Sequence, residues 1–196
     1  MTKKQKTQNI AILGLLVAVV IVLQMVSALI SKTSAFPLNL AMIPIILAAC
    51  MYGPKTSSIL GFVFGVIVYI CCILGWDVGG KMVFEANPLI CAALVLIKGV
   101  ASGFMAGIVA KPFMKKNKDL KAVVLSGIAA SVVNTGIFIV GMLLFYPALL
   151  KSWAGGTEVY YYIIFTLIVT NFVIEFVLNL VMSTAISRVI KAIKKI

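Results

Sequence analysis

The stretch that decides the fold is residues 10–30, IAILGLLVAVVIVLQMVSALI, which runs for about 20 residues without a charged side chain. A helix needs about 20 predominantly apolar residues to cross the hydrocarbon core of a bilayer. The short apolar core and small-residue cleavage site of a signal peptide are missing, so we interpret this stretch as a retained transmembrane helix.

Composition extends this interpretation to the whole chain. Of 196 residues, 63% are hydrophobic and only 11% are charged, and the mean hydropathy is +1.18. Such a chain cannot present a water-facing surface, which excludes a soluble domain. The apolar runs are long and lack the ten-residue alternation of outer-membrane strands, which favours helices over a barrel.

Six apolar runs follow one another along the chain, at residues 10–30, 37–52, 56–74, 87–110, 122–146 and 160–186. They predict an all-α integral membrane protein, with one compact bundle of six transmembrane helices over residues 1–196. The second run is short and carries Pro44, so we expect it to be either kinked and snug among its neighbours or partly outside the hydrocarbon. Residues 75–86 and the segment after Pro147 are predicted to be external loops.

The basic residues indicate the orientation. Of the 17 lysines and arginines, thirteen fall at alternate ends of the runs and only Lys32, Lys81 and Lys151 on the other side. This asymmetry follows the positive-inside rule and predicts that both termini and the loop around Asn117 are cytoplasmic. The net charge of +12 is therefore expected to face lipid headgroups, and we predict no nucleic-acid partner.

Catalytic and metal-binding chemistry is poorly represented. The chain has no histidine, five acidic residues and one arginine, and its four cysteines lie in or at the ends of apolar runs without a CxxC pair. No phosphate-binding GxxxxGK[ST] loop occurs, so the chain is not expected to hydrolyse ATP. We predict that it is not an enzyme and has neither a metal site nor a cofactor.

Ionisable groups at mid-membrane depth are the most informative feature, because they persist in hydrocarbon only when they are paired, cavity-facing or functional. Lys98 and Glu175 occur about 16 and 22 Å into their runs at 1.5 Å per residue. Their polar neighbours at comparable depth complete the set of candidate substrate-binding residues, which is Lys98, Asn134, Thr135, Asn171, Glu175 and Asn179. The alternative is that Lys98 and Glu175 only neutralise one another while the asparagines link helices.

Small residues at four-residue spacing form three ridges, which let membrane helices approach closely. The ridges are Gly14 with Ala18, Gly61 with Gly65, and Gly99 with Gly103 and Gly107. They predict a tightly packed bundle in which one face is reserved for another membrane protein. Aromatic residues cluster at the predicted external helix ends, where an interfacial belt or a cover over a ligand would place them.

The run FPLNLAMIPIILAACMYGP at 36–54 resembles the short second helix and closing turn of the S components of energy-coupling factor (ECF) transporters. The glycine-containing third helix that follows, Gly61-Phe-Val-Phe-Gly65, and the segments Leu-Ile-Lys98-Gly99 and Val-Asn134-Thr135-Gly136 are also similar to members of that family. The first-helix contact motif of the family is usually Ala-x3-Ala, and Gly14 replaces its first alanine here.

The resemblance implies a substrate-binding subunit in a bacterial cell membrane that captures a vitamin or similar small nutrient from outside. It also implies a transmembrane coupling subunit and two cytoplasmic ATPases as partners, with Gly14, Ala18, Gly61 and Gly65 as candidate coupling contacts. Lys98 suits an anionic vitamin such as pantothenate, whereas a Lys98 neutralised by Glu175 suits a neutral ring system such as riboflavin. A stand-alone permease and a lipid-modifying membrane enzyme remain as alternatives.

Overall fold

A computed structural model describes the backbone of residues 3–33, 39–156, 158–162, 164 and 171–193. Side chains are described for 11–30, 39–156, 158–162, 164, 173, 177–178 and 181–191. Within these ranges the regular elements are helices, with no strand. They are α1 Lys3–Thr33, α2 Met42–Tyr52, α3 Pro54–Leu74, α4 Val78–Ala86, α5 Pro88–Lys115, α6 Asp119–Phe145, α7 Pro147–Ala154, α8 Val159–Tyr162 and α9 Asn171–Ile193.

Four of the described helices contain segments long and apolar enough to cross a membrane. These segments are Ala11–Ile30, Pro54–Leu74, Pro88–Lys115 and Asp119–Phe145, and the apolar α2 is shorter. The prediction of an all-α, multi-pass membrane protein is therefore confirmed. The count of six spans stays a prediction, because α2 is shorter than a membrane span and residues 163 and 165–170 of the sixth run lie outside the described residues. The cytoplasmic termini stay a prediction as well.

The tightest described contact joins α3 to α5, which run antiparallel. A Cβ on Gly61 would overlap the backbone of Gly99, and a Cβ on Gly99 would overlap that of Gly61. Farther along the interface, the hydroxyl of Ser57 donates a hydrogen bond of 2.7 Å to the carbonyl oxygen of Gly103. The small-residue ridges therefore bring two backbones together, as their spacing predicts.

Helix α2 lies at the centre of the bundle, in contact with α1, α3, α5, α6 and α9. It begins only at Met42, so Pro44 stands in the first turn, where its missing N–H interrupts no helical hydrogen bond. The proline therefore stands at the start of the helix and does not kink it, so the expected kink is wrong, whereas a position partly outside the hydrocarbon stays a prediction. Ile45 and Ile46 are fully buried, and α2 is snug among its neighbours.

The two segments predicted to be loops each contain a short helix. The carboxylate of Asp77 caps α4 by accepting a hydrogen bond of 2.9 Å from the N–H of Gly80, and Val83 is buried below it. Helix α7 begins with Pro147, which favours a first helical position, and it buries Leu150. Hydropathy overlooked both helices because each buries only one or two apolar side chains.

Candidate functional site

Lys98 lies on α5, facing α6, and is partly buried. Its Nζ is 5.1 Å from the centroid of the Phe138 ring, a cation–π geometry that stabilises a partly desolvated ammonium. The structure shows one ion pair among the described side chains, between Lys81 and Glu85 at 3.7 Å on the exposed surface of α4. The charge of Lys98 is thus held against an aromatic face at about 15 Å along α5.

Asn134 lies one turn before Phe138 on α6, on the face that packs against α5. Gly141, one turn farther, packs against the side chain of Leu94 and fixes the direction of that face. Asn134 is 4% exposed, and its Oδ1 accepts no hydrogen bond from any residue that the structure describes. Because buried polar side-chain atoms are usually hydrogen-bonded, the unpartnered Oδ1 makes Asn134 a candidate contact for a polar ligand.

Thr135 is also buried, but it follows Asn134 directly in the helix. Successive helical residues are about 100° apart, so the two side chains do not face the same neighbour. The structure thus brings Lys98 and Asn134 to one interface through Phe138, and it turns Thr135 toward a different side of α6. Phe138 is a site residue that the sequence reasoning missed, although its i+4 spacing from Asn134 would have suggested it.

Asn171, Glu175 and Asn179 belong to α9, which packs against α6. Their side chains lie outside the described part of the chain, so the pairing of Lys98 with Glu175 stays a prediction. The helical backbone places the three residues at four-residue spacing on one face of α9. The predicted polar face of α9 requires this four-residue spacing.

The aromatic residues at the predicted external end divide into two groups. The Tyr146 hydroxyl donates a hydrogen bond of 2.9 Å to the carbonyl oxygen of Asn87, and the Trp153 Nε1 donates to the Met82 sulfur at 3.4 Å. These contacts tie α6 to the start of α5 and α7 to α4. Tyr160, in contrast, is 75% exposed, as a residue of an interfacial belt would be.

The four candidate coupling residues fall into an exposed pair and a buried pair. Gly14 and Ala18 lie on an exposed face of α1, and a Cβ added at Gly14 would meet nothing within 4 Å. Gly61 and Gly65 are buried against α5, where a Cβ at Gly65 would lie 2.7 Å from the carbonyl oxygen of Val95. The close approach that Gly61 and Gly65 permit is therefore made within this chain, and Gly14 and Ala18 are the pair that stays open to a partner.

One further polar residue escaped the sequence reasoning. Gln24 lies on the inner face of α1, is 7% exposed, and its Oε1 also accepts no hydrogen bond from the described residues. The feature of the sequence that could have drawn attention to Gln24 is that it is an amide in an otherwise apolar run. In the structure it lies one turn after the buried Val20 and one turn before the buried Ala28, which places it on the inner face of α1.

Apolar helices of membrane-spanning length, with some polar side chains buried between them, define a multi-pass helical membrane protein. The chain belongs to the family of ECF transporter substrate-specific components, whose family model matches residues 8–187. No curated protein and no solved structure matches it. The chain is therefore a membrane-embedded substrate-binding subunit of a transporter.

Proposed function

We propose that this chain captures a vitamin or similar small nutrient from the external side and releases it for ATP-driven uptake by partner subunits. The observation that carries the proposal is the buried, unpartnered Oδ1 of Asn134 one turn from the Phe138 ring that faces Lys98. In a family of substrate-specific components, a charge and an orphan acceptor at one helix interface are what a polar ligand would use.

Each residue of the proposed site has a distinct role. The Lys98 ammonium attracts an anionic group of the substrate, and the Phe138 ring holds that ammonium in place. Asn134 accepts a hydrogen bond from a substrate N–H or O–H. Thr135 and the α9 residues Asn171, Glu175 and Asn179 complete the polar lining in this proposal.

Pantothenate and riboflavin are the two candidate substrates. Pantothenate offers a carboxylate to Lys98 and hydroxyl and amide donors to Asn134. Riboflavin offers a planar ring system and hydroxyl donors, and it fits better if Glu175 neutralises Lys98. The choice between the two vitamins therefore depends on whether Glu175 neutralises the charge of Lys98, and pantothenate is favoured when Lys98 is unpaired.

Energy for uptake comes, in this proposal, from a transmembrane coupling subunit and two cytoplasmic ATPases. Substrate-specific components of ECF transporters work with such partners. The exposed face of α1 that carries Gly14 and Ala18 is the proposed contact, because small residues allow a partner helix to approach the backbone closely. The termini are proposed to be cytoplasmic, which puts the basic 111–121 segment on the ATPase side.

The test is a binding titration on the purified full chain in lipid nanodiscs, with pantothenate and riboflavin measured separately. We expect one of the two to bind, and if it is pantothenate, Lys98→Met should weaken that binding about tenfold or more, as loss of a charge-assisted contact would. Lys151→Met, which removes an exposed charge on α7, is the matched control and should bind normally. Wild-type affinity in Lys98→Met, or no binding of either vitamin, would contradict the proposed site or its substrates.

A further inference from the structure

The inner face of α1 is a buried stripe in which Leu16, Val20, Gln24 and Ala28 follow one another at four-residue spacing. This face meets α2 and α3. A leucine or methionine at position 24 would continue the apolar stripe, whereas the Gln24 amide is 7% exposed with an Oε1 that accepts no hydrogen bond from the described residues. Packing alone therefore does not explain a glutamine here, because a buried acceptor without a donor is destabilising.

The depth of Gln24 follows from one hydrogen bond between α1 and the segment before α2. The Leu40 N–H donates to the Ser27 hydroxyl at 3.1 Å. Gln24 lies three residues before Ser27 on α1, and Ile43, in the first turn of α2, lies three residues after Leu40; since the chain reverses direction between α1 and α2, Gln24 and Ile43 lie at a similar level. Gln24 therefore lies beside the first turn of α2.

Asn134 reaches the same level from the other side. The Cys50 sulfur lies 3.9 Å from the Ser126 hydroxyl, which pairs the last part of α2 with the first part of α6. Counting eight residues along each helix in opposite directions puts Asn134 at the level of Met42. Two buried, unpartnered amide oxygens thus flank the first turn of the central helix.

Four backbone positions around that turn, Leu40, Met42, Ile43 and Pro44, offer no spare N–H. The N–H groups of Met42 and Ile43 donate to the carbonyl oxygens of Asn39 and Leu40, each at 3.1 Å, and Pro44 has no N–H. The Leu40 N–H is taken by Ser27. These four positions therefore supply no donor to either amide oxygen, and a ligand that brings N–H or O–H donors would complement them.

We propose that Gln24 is a second hydrogen-bonding contact of the substrate, and that the substrate carries at least two N–H or O–H donors, one for Gln24 Oε1 and one for Asn134 Oδ1. The inference rests on the proposed function and extends its site from the α5–α6 interface across α2 to α1. Both oxygens are covered by neighbouring atoms, so the substrate enters by local separation around the first turn of α2. Substrates with a single donor are disfavoured.

The experiment uses the purified full chain in nanodiscs, with Gln24→Met as the variant. Methionine keeps the length of the side chain and removes the unpartnered amide, so the unfolding temperature measured without added vitamin should rise by about 2 to 4 °C. Pantothenate and riboflavin are then titrated separately, and the affinity for the vitamin that binds the wild type should fall about tenfold. Ser27→Ala is the matched control, because it breaks a hydrogen bond that the protein already makes and should lower the unfolding temperature.

The outcomes separate this inference from the proposed function. A higher unfolding temperature with weaker vitamin binding supports the role of Gln24. An unfolding temperature lowered as far as in Ser27→Ala overturns it, because the amide would then stabilise the fold, and unchanged affinity in Gln24→Met overturns it as well. If neither vitamin binds the wild type, the proposed substrates are wrong. The unfolding temperature of Gln24→Met then still shows whether the Gln24 amide lowers the stability of the fold.

Discussion

Gly61 and Gly99 face each other where α3 crosses α5, so closely that neither position has room for a Cβ. The antiparallel register that this contact sets continues to Gly103, whose carbonyl oxygen accepts a hydrogen bond from Ser57. Helix α5 therefore stands fixed against α3 on one side while it presents Lys98 to Phe138 of α6 on the other. The position of the candidate site thus depends on a glycine contact outside it.

Replacing Gly99 by valine should destabilise the protein by about 1–3 kcal/mol or more, because the added carbons would meet backbone that cannot move aside. Thermal unfolding of the purified protein measures the effect. Gly136→Val is the matched control, since a Cβ at Gly136 meets nothing within 4 Å. Equal stability of the two variants would show that the α3–α5 contact is looser than described.

Replacing both Gly14 and Ala18 by leucine should abolish uptake while leaving vitamin binding by the isolated chain intact. The reason is that both residues lie on an exposed face of α1, so added bulk obstructs a partner helix and not the interior. Uptake in cells and binding to the purified chain are the two measurements. Gly136→Leu adds similar bulk at an open position of α6 and should affect neither; a parallel loss of binding and uptake in the double variant would assign this face to the core.

The Lys98 and Glu175 hypotheses can be separated by a double-mutant cycle. If the two residues only form a buried ion pair, each of Lys98→Met and Glu175→Gln should destabilise by about 3–5 kcal/mol and the double change should recover most of it. If Lys98 binds an anionic group of the substrate, Lys98→Met should weaken binding in a protein that still folds, and adding Glu175→Gln should not restore it. We expect the second pattern, and full recovery of affinity in the double variant would contradict it.

The orientation can be tested with single cysteines. Asn117→Cys, in the lysine-rich turn between α5 and α6, should resist an impermeant thiol reagent in intact cells, whereas Ser152→Cys on α7 should react. The four native cysteines are buried, so they contribute little background. Labelling at position 117 with protection at 152 would reverse the topology.

The sequence predicted the long helices well because an uninterrupted apolar run of this length has one stable conformation in hydrocarbon. The run 56–74 corresponds to Pro54–Leu74, whereas the run 87–110 corresponds to Pro88–Lys115. Hydropathy ended the run 87–110 before Lys111 and Pro112, whereas the helical backbone continues through both residues to Lys115. Helices α4 and α7 were missed because hydropathy detects long apolar runs, and these two helices are too short to cross the membrane.

The candidate site was predicted only in part. Depth along a helix could be counted from the sequence, and it selected Lys98 and Asn134 as candidates at comparable depth; their role in binding stays a prediction. Spacing could not tell which helix a ridge faces, so Gly61 and Gly65 were assigned to a partner although they pack on α5. Gln24 was missed because a lone amide in an apolar run gives no sign of its direction until the helix is placed.

The central claim, that the chain is the substrate-binding subunit of a larger energy-coupled importer, is tested most directly by affinity purification from native membranes in a mild detergent. The account predicts that a transmembrane coupling subunit and ATPase subunits purify with the wild-type chain and are lost with the Gly14→Leu, Ala18→Leu double variant. A chain that purifies alone, and that takes up vitamin in liposomes without ATP or any partner, would contradict the account.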